Sequence, residues 1–163
     1  MLSLGIDPGT ATIGYGFVRE RHDGVLQAVA YDVITTSPKL PMWERLKQIH
    51  DEIQMLVERY EPDHAAVEEL FFARNVTTAI TVAQGRGVIL LALANAGVPV
   101  AEYKPNAVKQ AVSGYGGAKK PQVQEMVRIL LGLEEIPKPD DAADALAVAI
   151  TDIHSMRYNN LLG

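Results

Sequence analysis

The apolar run from Leu2 to Asp7 stops at the turn signal Pro8-Gly9 and predicts a buried strand. Ile13 to Glu20 predicts a second strand with His22-Asp23-Gly24 as its exit turn, and Val25 to Thr35 a third. Turns this short between three strands favour an antiparallel meander. Pro41 then opens a helix to about Tyr60, in which Met42, Leu46, Ile49, Ile53, Leu56 and Val57 recur at helical spacing and make one apolar face. Ala65-Ala66-Val67 is a short buried strand running into Glu68-Glu69. Thr77 to Asn95 is a long helix, apolar on most sides, with Gly85 and Gly87 inside it. Val98 to Tyr103 is a fifth strand, and helices over Asn106–Val112, Gln122–Leu131 and Asp141–Met156 finish the chain. Three strands followed by alternating strand and helix imply right-handed crossovers. The expected fold class is α/β: a mixed five-stranded sheet with helices on both faces, in one domain over residues 1–163.

Composition narrows the class. A chain of 163 residues that is 48% hydrophobic can bury a real core, which excludes a disordered protein. The absence of cysteine excludes a disulfide framework and a thiolate metal site. The N-terminus has no basic stretch before an apolar one, and the apolar run Val88 to Ala94 is too short to span a bilayer, so the expectation is a cytoplasmic protein without a membrane. The net charge of −5 argues against nucleic acid until its distribution is read. Residues 1–70 carry 6 basic and 12 acidic side chains, residues 71–133 carry 7 and 2, and residues 134–163 carry 2 and 6. A basic middle between acidic ends suits a protein that holds cations with one set and phosphates with the other. Ordinary surface variation would give the same numbers.

The candidate chemistry lies in the carboxylates. Asp7 and Glu68 fall at the carboxyl ends of predicted strands, where open α/β sheets bind ligands. Asp141 and Asp144, three apart near a helix start, share a face, and the helix N-terminus favours their ionised forms. Each has a structural alternative: a turn cap for Asp7, a solvated loop residue for Glu68, helix-terminal carboxylates for the pair. Together, four oxygen ligands suit a hard divalent cation, Mg²⁺ or Mn²⁺, and two such ions about 4 Å apart could hydrolyse a phosphodiester. Phe71-Phe72 beside an acidic site are either core rings or a stacking surface for a base. The segment Gly114-Tyr115-Gly116-Gly117-Ala118-Lys119-Lys120 reads equally as a plain surface loop or a phosphate clamp.

Several blocks in order resemble the RuvC family of Holliday junction resolvases. Gly5-Ile6-Asp7-Pro8-Gly9-Thr10 and Gly14-Tyr15-Gly16 resemble its opening. Ala66-Val67-Glu68-Glu69-Leu70-Phe71 with Ala73-Arg74-Asn75, and Ala83-Gln84-Gly85-Arg86-Gly87, resemble its next two blocks. Val108-Lys109-Gln110, Lys120-Pro121-Gln122-Val123-Gln124 and Asp141-Ala142-Ala143-Asp144-Ala145-Leu146-Ala147 complete the set, which spans about residues 3 to 154. The resemblance implies a ribonuclease-H-like fold, a homodimer that nicks four-way junction DNA in pairs, and a branch-migration helicase complex as partner. It places the catalytic, metal-binding carboxylates on Asp7, Glu68, Asp141 and Asp144, with Glu69 and Asp140 as uninvolved neighbours. The basic residues near the scissile phosphate fall on Lys109 and Lys120, with Lys119 at a position that need not be basic in the family. Phe71 takes the aromatic position at the junction core, Arg74 joins the DNA-contacting set, and Phe72 departs from an expected aliphatic residue.

The remaining residues read as structural. His22, His50, His64 and His154 are in no ligand spacing and read as surface or helix residues, and Trp43 reads as core packing. Gly85 and Gly87 would each weaken a lone helix by roughly 1 kcal/mol, so close packing against a neighbour, of which a twofold dimer contact is one, is expected there. Three rivals remain. An actin-like ATP-binding lobe would need a second lobe. Another ribonuclease-H-like nuclease would act on RNA or other branched nucleic acid. A non-catalytic junction scaffold would keep four converging charges at a cost.

Overall fold

The structure is a computed structural model that describes residues 1–70 and 75–163. Its elements are β1 (Leu2–Asp7), β2 (Thr12–Glu20), β3 (Leu26–Thr35), α1 (Met42–Tyr60), β4 (His64–Glu68), α2 (Val76–Asn95), β5 (Val100–Tyr103), α3 (Pro105–Ser113), α4 (Lys120–Leu130) and α5 (Asp140–Leu162). The five strands form one sheet in the order β3-β2-β1-β4-β5. β1, β2 and β3 pair antiparallel, while β1, β4 and β5 pair parallel, so the meander and the crossover half meet on β1.

Side-chain alternation along β1 assigns its two faces. Leu2, Leu4 and Ile6 enter a core built with Ile49, Ile53 and Val57 of α1 and Ile89, Ala92 and Leu93 of α2. Ser3 and Gly5 face α5 on the other side: Ser3 Oγ donates to Asp152, and a Cβ on Gly5 would meet the Ala145 carbonyl. There Val108 and Val112 of α3, Val127 of α4 and Leu146, Ile150 and Ile153 of α5 form a second core. Helices thus cover both faces, as the alternation of elements predicts.

The boundaries that move have local causes. β5 begins at Val100 because Pro99 cannot donate to a ladder and the Val98 N–H instead closes the end of α2 on the Leu93 carbonyl. α4 begins at Lys120, with Pro121 tolerated in its first turn, so Lys120 sits on a helix rather than in the loop. α5 continues to Leu162, beyond the expected Met156.

Two expectations are corrected. Trp43 is not core: it is 69% exposed, because it stands about a quarter-turn round α1 from the buried stripe of Ile49, Ile53 and Val57. His64 is neither helical nor free: it lies on β4 with Nδ1 2.8 Å from the fully buried Asp152. By length and composition α2 could cross a membrane, but one face of it packs into the core through Gly85, Ile89, Ala92 and Leu93, and Arg86 pairs with Glu102.

Candidate active site

β1 and β4 run parallel and end side by side, which puts Asp7 and Glu68 at the same edge of the sheet. What closes the site is the depth at which α5 lies on that sheet. Asp7 pairs across the ladder with Gly14, and Gly5 with Gly16. A Cβ on Gly5 would come within 2.0 Å of the Ala145 carbonyl oxygen, one on Gly14 within 1.9 Å of the Asp141 carbonyl oxygen, and one on Gly16 within 2.7 Å of Leu146. These three glycines form a track without side chains on which α5 rests, by its backbone at Gly5 and Gly14 and through the Leu146 side chain at Gly16. The first turns of α5 thereby reach the end of β1, and Asp7, Asp141 and Asp144 offer carboxylate oxygens that all lie within 4.8 Å of one another.

Glu68 stands one step outside that trio. It shares with Asp144 the wall of a cleft of about 520 Å³, rimmed by Lys109 of α3 and by Lys119 and Lys120 at the start of α4. Lys120 Nζ lies 3.3 Å from Asp144 Oδ2 and 3.6 Å from Asp140 Oδ2. The structure thus brings together all four predicted carboxylates and all three predicted lysines. Phe71 and Arg74, with Phe72, lie outside the described residues. Glu69 belongs neither to the trio nor to the lining of the cleft.

The electrostatics are those of a site with too much negative charge for its burial. Burial pushes the Asp7 carboxyl up to about 8, and the charges of Glu68, Asp144 and Asp141 push the same way. Burial, and then Asp144, raises Glu68 to about 7 against the opposing pull of Lys109 and Lys120. Asp144 is raised as well, by burial first, although Lys120 lowers it. Burial works against the Lys120 ammonium, but Asp144, Asp140 and Asp141 together hold its pKa above the ordinary lysine value. A small, hard, doubly charged cation would relieve this repulsion, and a donor set made only of carboxylate oxygens suits one. The acidic cluster could hold such a metal ion.

Sequence reasoning missed the supports of the site on the α2 side. A Cβ on Gly85 would fall 2.1 Å from the Gly9 carbonyl oxygen, so this glycine lets α2 press against the turn that follows Asp7. That close neighbour belongs to the same chain, and Gly87 has nothing of its own chain within 4 Å of an added Cβ. Arg86 Nε donates to the Glu68 carbonyl at 3.4 Å while its guanidinium pairs with Glu102 on the next strand. The spacing of Gly14 and Gly16, two apart on one face of a strand, was the signal available for the α5 track.

The family model for crossover junction endodeoxyribonuclease RuvC matches residues 3–152. The crossover junction endodeoxyribonuclease RuvC of Chloroflexus aggregans is 63% identical over 150 residues, which cover 92% of this chain and 91% of that protein. The solved structure of Thermus thermophilus RuvC superposes with a TM-score of 0.91 at 41% identity, covering 98% of this chain and 97% of that one. T. thermophilus RuvC in complex with Holliday junction substrate superposes with a TM-score of 0.89 at 39% identity, covering 97% and 96%.

Proposed function

The chain belongs to the RuvC family of crossover junction endodeoxyribonucleases, and from that premise we propose that it resolves four-way (Holliday) DNA junctions in recombination and repair by hydrolysing phosphodiester bonds at its carboxylate cleft. The fold is ribonuclease-H-like, and residues 1–163 act as one nuclease domain. The observation that carries this reading is the meeting of Asp7, Asp141 and Asp144 behind a cleft whose wall holds Glu68 and whose rim holds three lysines. Cations at the rim draw in a phosphate, and anions within supply the ligands for its hydrolysis.

Asp7, Glu68, Asp141 and Asp144 are the proposed ligands of two Mg²⁺ ions, for which Mn²⁺ can substitute. Such ions, when bound, lower the pKa of an attacking water and stabilise the leaving oxygen of the phosphodiester. Lys109 and Lys120 hold the phosphate flanking the scissile bond, with Lys119 beside them. Lys120 is suited to this because Asp140 and Asp144 keep it charged and near the cleft. Phe71 and Arg74 are assigned to the junction core and the DNA backbone.

Paired cutting needs two active sites related by a twofold axis, so the functional unit is a homodimer. α2 supports this: its inner face is buried, while Val76, Ile80 and Leu91 leave large apolar side chains exposed on the outside. A branch-migration helicase complex is the proposed partner and the cytoplasm the proposed compartment. The test is a cleavage panel in Mg²⁺ comparing a synthetic four-way junction, linear duplex, RNA–DNA hybrid and single-stranded RNA. Preferential cutting of the junction supports the proposal, and preferential cutting of hybrid or RNA replaces it with a ribonuclease.

A further inference from the structure

A second polar cluster spans β1, β4 and α5, which also carry the active-site carboxylates, together with β5. Asp152 of α5 is fully buried, and its carboxylate has three partners. Ser3 Oγ of β1 donates to Oδ2 at 2.7 Å, His64 Nδ1 of β4 lies 2.8 Å from the same oxygen, and Tyr103 of β5 donates its phenol hydroxyl to Oδ1 at 3.1 Å. No buried side-chain polar atom among the described residues is left without a partner.

The positions of these residues are related to the active site by simple steps. Ser3 precedes Asp7 by four residues on β1, and His64 precedes Glu68 by four on β4. Asp152 follows Asp144 by eight residues on α5. Four strand residues span about 13 Å, and eight helix residues about 12 Å. The two clusters are therefore commensurate: when Asp152 is bonded to Ser3 and His64, two turns of helix deliver Asp144 to the level of Asp7 and Glu68. Tyr103 adds the third strand, since it pairs with Glu68 in the β4–β5 ladder.

Between the two clusters the contact of α5 with the sheet is apolar, and Leu146 packs against Gly16. Gly5, Gly14 and Gly16 present no side chains, and Ala145 and Ala149 meet Gly5. Apolar packing of this kind permits close approach but is not directional. Hydrogen bonds are directional and resist sliding of the helix along the strands. An apolar residue at position 152 would bury more cheaply than a carboxylate, so what the carboxylate adds is a fixed register rather than burial.

We infer that Asp152 is a positioning residue: bonded to Ser3, His64 and Tyr103, it locks the register of α5 on β1, β4 and β5 and thereby sets the spacing of the carboxylates that take the metal. The inference rests on the metal-site reading of Asp7, Glu68, Asp141 and Asp144. Its test compares the full-length wild type with Asp152→Asn, well below each protein's unfolding midpoint. The readouts are Mn²⁺ affinity by calorimetry, junction affinity in EDTA, and the Mg²⁺ concentration that half-saturates junction cleavage. The expected result is Mn²⁺ binding weakened about tenfold, an Mg²⁺ requirement raised by a similar factor, cleavage recovered at high Mg²⁺, and unchanged junction affinity in EDTA. A folded Asp152→Asn protein with wild-type Mn²⁺ affinity and Mg²⁺ requirement, and only a lower unfolding midpoint, overturns the inference. If Asp152→Asn does not fold, Ser3→Ala and Tyr103→Phe each remove one donor. A smaller shift in the same direction then supports the proposal, and no shift in either overturns it. Failure of the wild type itself to bind Mn²⁺ strikes the metal-site reading instead, and is distinguishable for that reason.

Discussion

The start and the middle of α5 hold carboxylates in opposite conditions. Near its start, Asp141 and Asp144 meet Asp7 and Glu68, and burial with mutual repulsion drives Asp7 up to about 8 and Glu68 up to about 7. Further along, Asp152 is more deeply buried than any of them, yet both its oxygens are hydrogen-bonded by neighbouring strands. The same helix and the same two strands supply both clusters. The difference teaches where structure ends and chemistry begins. A carboxylate kept for the fold is given partners by the fold, whereas a group of carboxylates left short of partners is kept for something that binds.

Charge removal breaks this comparison most sharply. Asp7→Asn, Glu68→Gln, Asp141→Asn and Asp144→Asn should each lower junction cleavage by about 100-fold or more, with junction binding in EDTA largely retained. Asp7→Asn should also raise the unfolding midpoint of the metal-free protein at pH 8, because it deletes a strained charge. Asp152→Ala should lower the midpoint, because it leaves the buried Ser3 hydroxyl, and the part-buried His64 and Tyr103, without their shared partner. Glu69→Gln should leave cleavage near wild type; equal damage from Glu68→Gln and Glu69→Gln would mean the wrong glutamate has been assigned.

The rim lysines come next. Lys109→Ala and Lys120→Ala should each slow cleavage about tenfold. Each should also reduce the salt slope of junction binding by about one. Fluorescence titrations across a salt series measure this directly, and a slope near zero in the wild type would contradict the electrostatic role of the rim.

The raised carboxyl pKa values fix the sign of the pH dependence. The folded chain holds protons at Asp7 and Glu68 that the unfolded chain releases near pH 4. This contribution to stability is fully present below about pH 4 and is lost as pH rises toward about 8. The unfolding midpoint of the metal-free protein should therefore fall between slightly acidic pH and pH 8, and Mg²⁺ should recover more of it at pH 8 than at pH 5. A midpoint that climbs through this interval, with no added effect of Mg²⁺, would show that the cluster is not strained.

The smallest effects separate the two glycines of α2. Gly85→Ala should destabilise by about 1–3 kcal/mol, since its Cβ meets the Gly9 backbone. Gly87→Ala should stabilise the isolated chain by up to about 1 kcal/mol, since nothing of its own chain lies within reach, and should weaken self-association if α2 forms the dimer contact through the face that carries Val76, Ile80 and Leu91. Chemical denaturation resolves both.

Much of the open cluster was legible in the sequence, and almost none of the closed one. Asp7 and Glu68 stand at the ends of recognisable strands, and Asp141 and Asp144 at the start of a helix, so the rule that sheets bind ligands at strand carboxyl ends already places them together. Periodicity also yields the α1 stripe and both faces of the sheet. It does not say which side chain on one element meets which on another. Ser3, His64, Tyr103 and Asp152 are spread from one end of the chain to the other, and no local pattern joins them. Trp43 was misplaced for a related reason: an aromatic near an apolar face is not on it unless its helical angle agrees. Gly85 looked like a candidate for a contact between chains because its partner, Gly9, is a backbone atom group that no hydrophobic pattern reports.

The most direct test of the central claim uses a four-way junction labelled on each strand in turn, incubated with wild type or Asp7→Asn in Mg²⁺ and in EDTA. The account predicts two nicks at symmetry-related positions in opposing strands, made by the wild type in Mg²⁺ alone and lost in Asp7→Asn. Nicks that persist in EDTA or in Asp7→Asn would show that the carboxylate cluster is not where the junction is cut.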